Sequence, residues 1–99
     1  MEETDYVVEQ LKKMKPQAVI LFGSASRGEV GKDSDLDFLV IKETDSPFDE
    51  RMREARTSVK TNMPLDIIVI TPKEAKELPK KYSFFRQILK EGKLLYGRV

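Results

Sequence analysis

The stretch from Leu21 to Ile41, LFGSASRGEVGKDSDLDFLVI, decides how the rest of the chain is read. Residues 17–22, QAVILF, predict a strand, and the continuously apolar run Ala18–Phe22 within it predicts burial on both faces. Gly23-Ser24 ends that strand. After ten intervening residues, Asp35-Leu36-Asp37 opens a second apolar strand that continues through Phe38 to Ile41. A small, donor-rich turn thus stands at the end of one strand, and two carboxylates stand at the start of the next.

Outward from this stretch, the pattern predicts alternating helices and strands. Residues 4–14 have an apolar stripe of Val7 or Val8, Leu11 and Met14 at helical spacing, with Thr4 or Asp5 as cap and Pro16 as stop. Ser24-Ala25-Ser26-Arg27 can begin a short helix, and residues 28–34 form a loop with Gly28 and Gly31. Ser46-Pro47 supplies an N-cap with proline at the first helical position, and Asp49 takes the place of the capping-box acid. Phe48, Met52, Ala55 and Val59 then mark one helix face to about Lys60. Leu65–Ile70, LDIIVI, is a third strand with Asp66 inside it. Thr71-Pro72-Lys73-Glu74 repeats the cap-and-proline start for a short helix that ends at Pro79. Residues 83–91 form a helix with Phe84, Phe85, Ile88 and Leu89 on one side, closed by Gly92 as a C′ residue. Residues 93–96 are a last short strand at the sheet edge. The order α-β-β-α-β-α-α-β predicts an α/β (α+β) domain, a mixed sheet of about four strands with helices packed on it. At 99 residues the chain reads as one domain, 1–99.

Composition narrows the chemistry. Eighteen Lys+Arg against 17 Asp+Glu leave a net charge of +1, so no general basic field points to nucleic acid. There is no Cys and no His, which excludes thiol nucleophiles, imidazole acid–base catalysis and ordinary zinc sites. Catalysis must run on carboxylates, hydroxyls, basic side chains or an oxygen-bound metal. No apolar run reaches the ~18 residues of a membrane span. The acidic start MEETDY is no signal peptide, and the cytoplasm is the expected location.

Asp35 and Asp37 lie two apart on a strand and so point to one face, with Cα atoms ~7 Å apart. Such a pair can hold a hard cation together with substrate phosphates, or can be a solvated strand start. Asp66 sharpens the choice. An acid in an apolar strand costs stability if buried unpaired, and on a strand next to Asp35 and Asp37 it would complete a patch of three acids that attracts a cation. The alternative is an exposed strand end or an ion pair. Gly23 allows close backbone approach, Ser24 offers a hydroxyl and following N–H groups, and Arg27, or more weakly Lys32, can reach a phosphate. The expectation is a site for a nucleoside triphosphate with Mg²⁺. A P-loop fails because Asp33 follows Gly31-Lys32 where Ser or Thr is needed. An EF-hand starting at Asp33 fails because Phe38 replaces its glycine and Thr44 its last acid.

Gly23-Ser24, ten residues, then Asp35-x-Asp37, with Arg27-Gly28 after the serine, a later strand acid at Asp66 and the ending EGKLLY (Glu91–Tyr96), resembles the signature of the DNA polymerase β-like nucleotidyltransferase superfamily. In so short a chain it resembles the minimal nucleotidyltransferase (MNT) branch. The resemblance covers residues 17–96. It implies that Asp35 and Asp37 hold two Mg²⁺ ions. Asp66 would help ligate one ion and accept the proton of an attacking hydroxyl. Gly23, Ser24 and Arg27 would hold the phosphates of ATP. It further implies an antitoxin of the HEPN/MNT kind that transfers AMP to a tyrosine of a helical HEPN partner, in a homo- or hetero-oligomer. Alternatives are an antibiotic-type small-molecule nucleotidyltransferase and a non-catalytic module that neutralises a toxin by contact, with Phe84 and Phe85 at the interface instead of in the core.

Overall fold

A computed structural model of the chain describes residues 2–23 and 35–99. The short helix and loop expected over 24–34, and with them Ser24, Arg27 and Lys32, lie outside the described residues.

The chain order is α1 (Glu2–Leu11), a 3₁₀ turn (Lys12–Met14), β1 (Ala18–Phe22), β2 (Leu36–Ile41), α2 (Phe48–Ser58), β3 (Leu65–Ile70), α3 (Pro72–Lys81), α4 (Ser83–Glu91) and β4 (Lys93–Gly97). The strands form one mixed sheet in the order β3-β2-β1-β4. β1 is antiparallel to β2 and β4, and β2 is parallel to β3. The expected four-stranded α/β sheet is therefore the observed one, with β4 at an edge.

Alternation along the strands feeds two apolar layers. Val19, Leu21, Phe38, Val40, Ile67 and Val69 pack with Val7 and Leu11 of α1 and Ala55 of α2. On the opposite face, Ala18, Ile20, Leu39, Ile41 and Ile70 pack with Ile88 of α4 and, at their margin, Ala75 and Leu78 of α3. This double cover explains why Ala18–Phe22 and Phe38–Ile41 read as unbroken apolar runs.

Several helix ends differ in detail from the sequence expectation. α1 begins at Glu2, so Thr4 is a buried residue within it instead of its cap. Its end tightens into the 3₁₀ turn and stops at Lys15, which adopts φ 57° and donates its N–H to Lys12 O. Ser46 does not cap α2. Pro47 is extended (φ −59°, ψ 156°) and is itself the N-cap, so Asp49 Oδ1 accepts from Glu50 N and forms no box. α3 runs through Pro79 to Lys81; so near a helix end, the missing proline N–H removes one ladder bond without breaking the helix. Gly92 follows α4 in an extended conformation (φ −67°), and its N–H reaches Ile88 O. Crowding is the reason for glycine here: a Cβ would lie 2.5 Å from both Ile20 Cγ2 and Ile88 O.

The capping box expected at Thr71 is formed. Thr71 Oγ1 accepts from Glu74 N at 3.1 Å, and Glu74 Oε1 accepts from Thr71 N at 2.8 Å. The same Oε1 accepts from Arg51 Nη1 at 2.6 Å, and Arg51 Nε donates to Ser46 O at 2.7 Å. One carboxylate thus starts α3 and ties it to α2, joining the two helical layers just beyond the C-terminal ends of β2 and β3. Burial works against ionisation of Glu74. The Thr71 N–H and the Arg51 guanidinium outweigh it and hold the carboxyl below its ordinary value. A lowered folded-state value means stability that is present above the unfolded carboxylate value and lost as pH falls through the folded one. Glu74→Gln is expected to cost about 1 kcal/mol at pH 7, discounted for partial exposure. In urea titrations the difference from the parent should shrink as pH falls below the ordinary carboxylate value and through the lowered one of Glu74.

Candidate active site

The strand register builds the site. Phe22 stands opposite Asp37 across the β1–β2 pair, and Asp37 stands opposite Asp66 across the β2–β3 pair. These three form one row across the sheet. By alternation they lie on the α3/α4 face, in line with Ile20, Leu39 and Ile68. Asp35 precedes β2 by one residue, and Leu36 N donates to Pro64 O at 2.9 Å where β3 begins.

Gly23 completes the arrangement. Its φ of +75° belongs to the left-handed region that favours glycine. A Cβ there would collide with Asp37 Oδ2. The turn glycine and the second acid of D-x-D, 14 residues apart in sequence, are therefore in direct apposition.

Sequence reasoning placed the burial cost on Asp66, yet Asp66 is exposed at its strand start, and Asp37 is the half-buried member. Asp37 is raised above the usual carboxylate value, first by burial, then by the charges of Asp66 and Asp35, and finally by a hydrogen bond in which its protonated form donates to Asp66. The three expected acids are thus electrostatically joined, with Asp37 at the centre. Among the described residues, no Lys or Arg forms an ion pair with them, and no three acidic side chains close into a complete metal cage. An open set of hard oxygen donors, short of positive charge, fits Mg²⁺, which takes one or two carboxylates and fills its shell with water and phosphate oxygens.

Aromatic walls flank the acids. A cleft of about 590 Å³ is bounded by Asp37 and Asp66 together with Phe22, Phe48, Phe84 and Phe85. Phe85 is half-buried against the core as expected. Phe84 is 50% exposed and meets Phe22 edge-on, with centroids 6.0 Å apart. Neither Phe22 nor Phe84 stood out in the sequence as a site residue. Counting alternation back from Asp37 through an antiparallel partner would have found Phe22; nothing local to residues 83–91 marks Phe84.

The repulsion at Asp37 has a measurable consequence. A raised folded-state value means that the folded chain binds this proton more tightly than the unfolded chain. Stability is therefore lost as pH rises through the unfolded carboxylate value toward the folded one. Without divalent cations, Asp37→Asn is expected to stabilise the protein at pH 7 by up to about 1 kcal/mol, since an amide can donate to Asp66 without charge. The gain should vanish near pH ~3, as read from urea midpoints at the two pH values. Gly23→Ala is expected to do the opposite and destabilise by about 1 kcal/mol or more, through backbone strain and displacement of Asp37.

Known proteins share the family and the fold of this chain. The family described as "Polymerase beta, Nucleotidyltransferase" matches residues 6–99. A Methanocaldococcus jannaschii protein that bears the provisional name protein adenylyltransferase is 31% identical over 81 residues, covering 79% of this chain and 76% of that one. Among solved structures, a provisionally assigned nucleotidyltransferase from Sulfolobus solfataricus superimposes with a TM-score of 0.69 at 20% identity, covering 98% of this chain and 82% of the other. A toxin–antitoxin structure solved with AMP-PNP gives a TM-score of 0.58 at 21% identity, over 95% of this chain and 73% of that one.

Proposed function

This chain belongs to the polymerase β nucleotidyltransferase family, and we propose that it transfers AMP from ATP, with Mg²⁺, to a hydroxyl of a partner protein. The partner in this reading is a helical HEPN-type toxin that carries the acceptor tyrosine, so that transfer makes the chain an antitoxin. The observation that carries the reading is the in-register Asp37–Asp66 pair, electrostatically joined to Asp35 and set against Gly23. The protein-adenylyltransferase name of the M. jannaschii relative and the nucleotide-bound toxin–antitoxin neighbour support the choice of donor and acceptor class.

In this reading Asp35, Asp37 and Asp66 hold Mg²⁺, whose chemistry is to neutralise the phosphates and the developing charge at the α-phosphorus. Gly23, with Ser24 and Arg27, seats the β- and γ-phosphates. The acceptor hydroxyl lies beside Asp66, which takes its proton. The hydroxyl oxygen bonds to the α-phosphorus as the bond to the bridging oxygen breaks, and pyrophosphate departs. Positioning and electrostatics carry the rate, as suits a chain without His or Cys. The cleft beside Asp37 and Asp66 is also of a size that holds small ligands, which favours a small-molecule acceptor as the second reading.

The test incubates the protein with α-labelled ATP, Mg²⁺ and lysate from its own source. A labelled protein band is expected, removed by chelation and weakened at least about 100-fold in Asp35→Asn and Asp37→Asn. Labelled small molecules without a band would select the second reading. Transfer that survives either substitution would remove the carboxylates from the mechanism.

A further inference from the structure

A second, smaller hollow of about 150 Å³ lies on the other side of the Phe22–Phe84 contact, between the end of β1 and α4. Phe22, Phe84 and Ile88 form its apolar walls. Gly23, Gln87 and Glu91 form its polar rim. It therefore shares its aromatic wall with the catalytic cleft and shares Gly23 with the turn that seats the phosphates in the proposed function. An apolar space of roughly this volume accepts a benzene-sized ring, and the open rim leaves room for a fused second ring.

Phe84 stands half exposed. It touches Phe22 and Phe85 edge-on, with centroids 6.0 Å and 5.3 Å away, while the core is filled by its neighbours Phe85, Ile88 and Leu89. An aromatic side chain held at the mouth of an apolar hollow is a stacking platform for a planar heterocycle.

The rim adds selectivity. Gln87 Nε2 donates to Glu91 Oε2 at 3.1 Å, one helical turn on. A carboxylate only accepts, so Glu91 fixes which end of the Gln87 amide it faces. That bond engages the amide nitrogen, so the acceptor Gln87 can offer a ligand in the hollow is its amide oxygen. That oxygen accepts from an exocyclic amino group and opposes a ring carbonyl. Adenine offers the amino group at its six-position; guanine offers the carbonyl.

We infer that this hollow is the nucleobase subsite, with Phe84 and Phe22 as its stacking wall and Gln87, oriented by Glu91, as the residue that selects adenine over guanine. The assignment rests on the nucleotidyltransferase reading above and adds the residues that choose the base.

Isothermal titration with Mg²⁺ present, using ATP, GTP and inorganic tripolyphosphate as probes, separates the two claims. The parent is expected to bind ATP more tightly than GTP by about 5- to 10-fold. Phe84→Leu, which keeps apolar bulk without a ring, is expected to weaken ATP by about 10-fold or more and to leave tripolyphosphate unchanged. Phe84→Tyr should restore ATP binding. Gln87→Ala, at an exposed position, should bring ATP and GTP together. Equal losses of ATP and tripolyphosphate in Phe84→Leu, no loss at all, or an ATP preference that survives Gln87→Ala would each overturn the assignment. A parent that binds tripolyphosphate as tightly as ATP would overturn the base subsite alone. One that binds neither would overturn the nucleotidyltransferase reading and the subsite with it.

Discussion

The parallel pairing of β2 with β3 is the constraint on which the site depends. It is in phase along its whole length, from Leu36 opposite Leu65 to Ile41 opposite Ile70. Side chains alternate with a period of two, so a slip of one residue would carry Asp66 through the sheet to the α1/α2 face and leave Asp37 alone. The register is held by what lies at each end. Leu36 N bonds to Pro64 O where the strands start, and Lys42 N bonds to Ile70 O where they finish. Both faces are buried beyond the acids, so the apolar pattern and the hydrogen bonds agree on one alignment.

Direction matters as much as register. In an all-parallel sheet, ligands sit outside the carboxyl ends of the strands. Here Asp37 and Asp66 are near the amino ends of β2 and β3. The carboxyl end that approaches them belongs to β1, whose antiparallel course brings Phe22 and Gly23 to the same edge. One reversed strand thus delivers a glycine turn to a pair of acids. The opposite end is closed by the Arg51–Glu74 tie between helical layers, while the acid end stays open as a cleft.

The sheet was legible because its cause is local: β1, β2 and β3 are apolar runs bounded by Gly, Pro and acids, and two helices start at proline. The grouping of Asp35, Asp37 and Asp66 was legible as a condition: alternation sets the face, and the grouping follows once β3 lies beside β2, as it does. What escaped depends on distant packing. Asp37 bears the burial because β2 is flanked by β1 and β3, whereas Asp66 lies on the edge strand β3, an order that no window of sequence contains. Gly92 looked like a left-handed cap, but Ile20, 72 residues away in sequence, excludes a side chain there. Ser46 looked like a cap, but an extended Pro47 starts the helix one residue later. Phe84 looked like core because helical spacing cannot tell which residue of an apolar stripe falls at a cleft mouth.

The crowding of Gly23 against Asp37, and of Asp37 against Asp66, bears on how such a chain changes over generations. A lineage selected only to fold would exchange Asp37 for an amide or a small neutral residue and gain stability, and most such exchanges lie within a few nucleotide changes. Once the carboxylate was gone, Gly23 would lose one reason to remain glycine, and the turn would drift after it. The acids and the glycine stand or erode together. On the proposed function, their joint presence is the trace that selection for chemistry would leave in a single sequence.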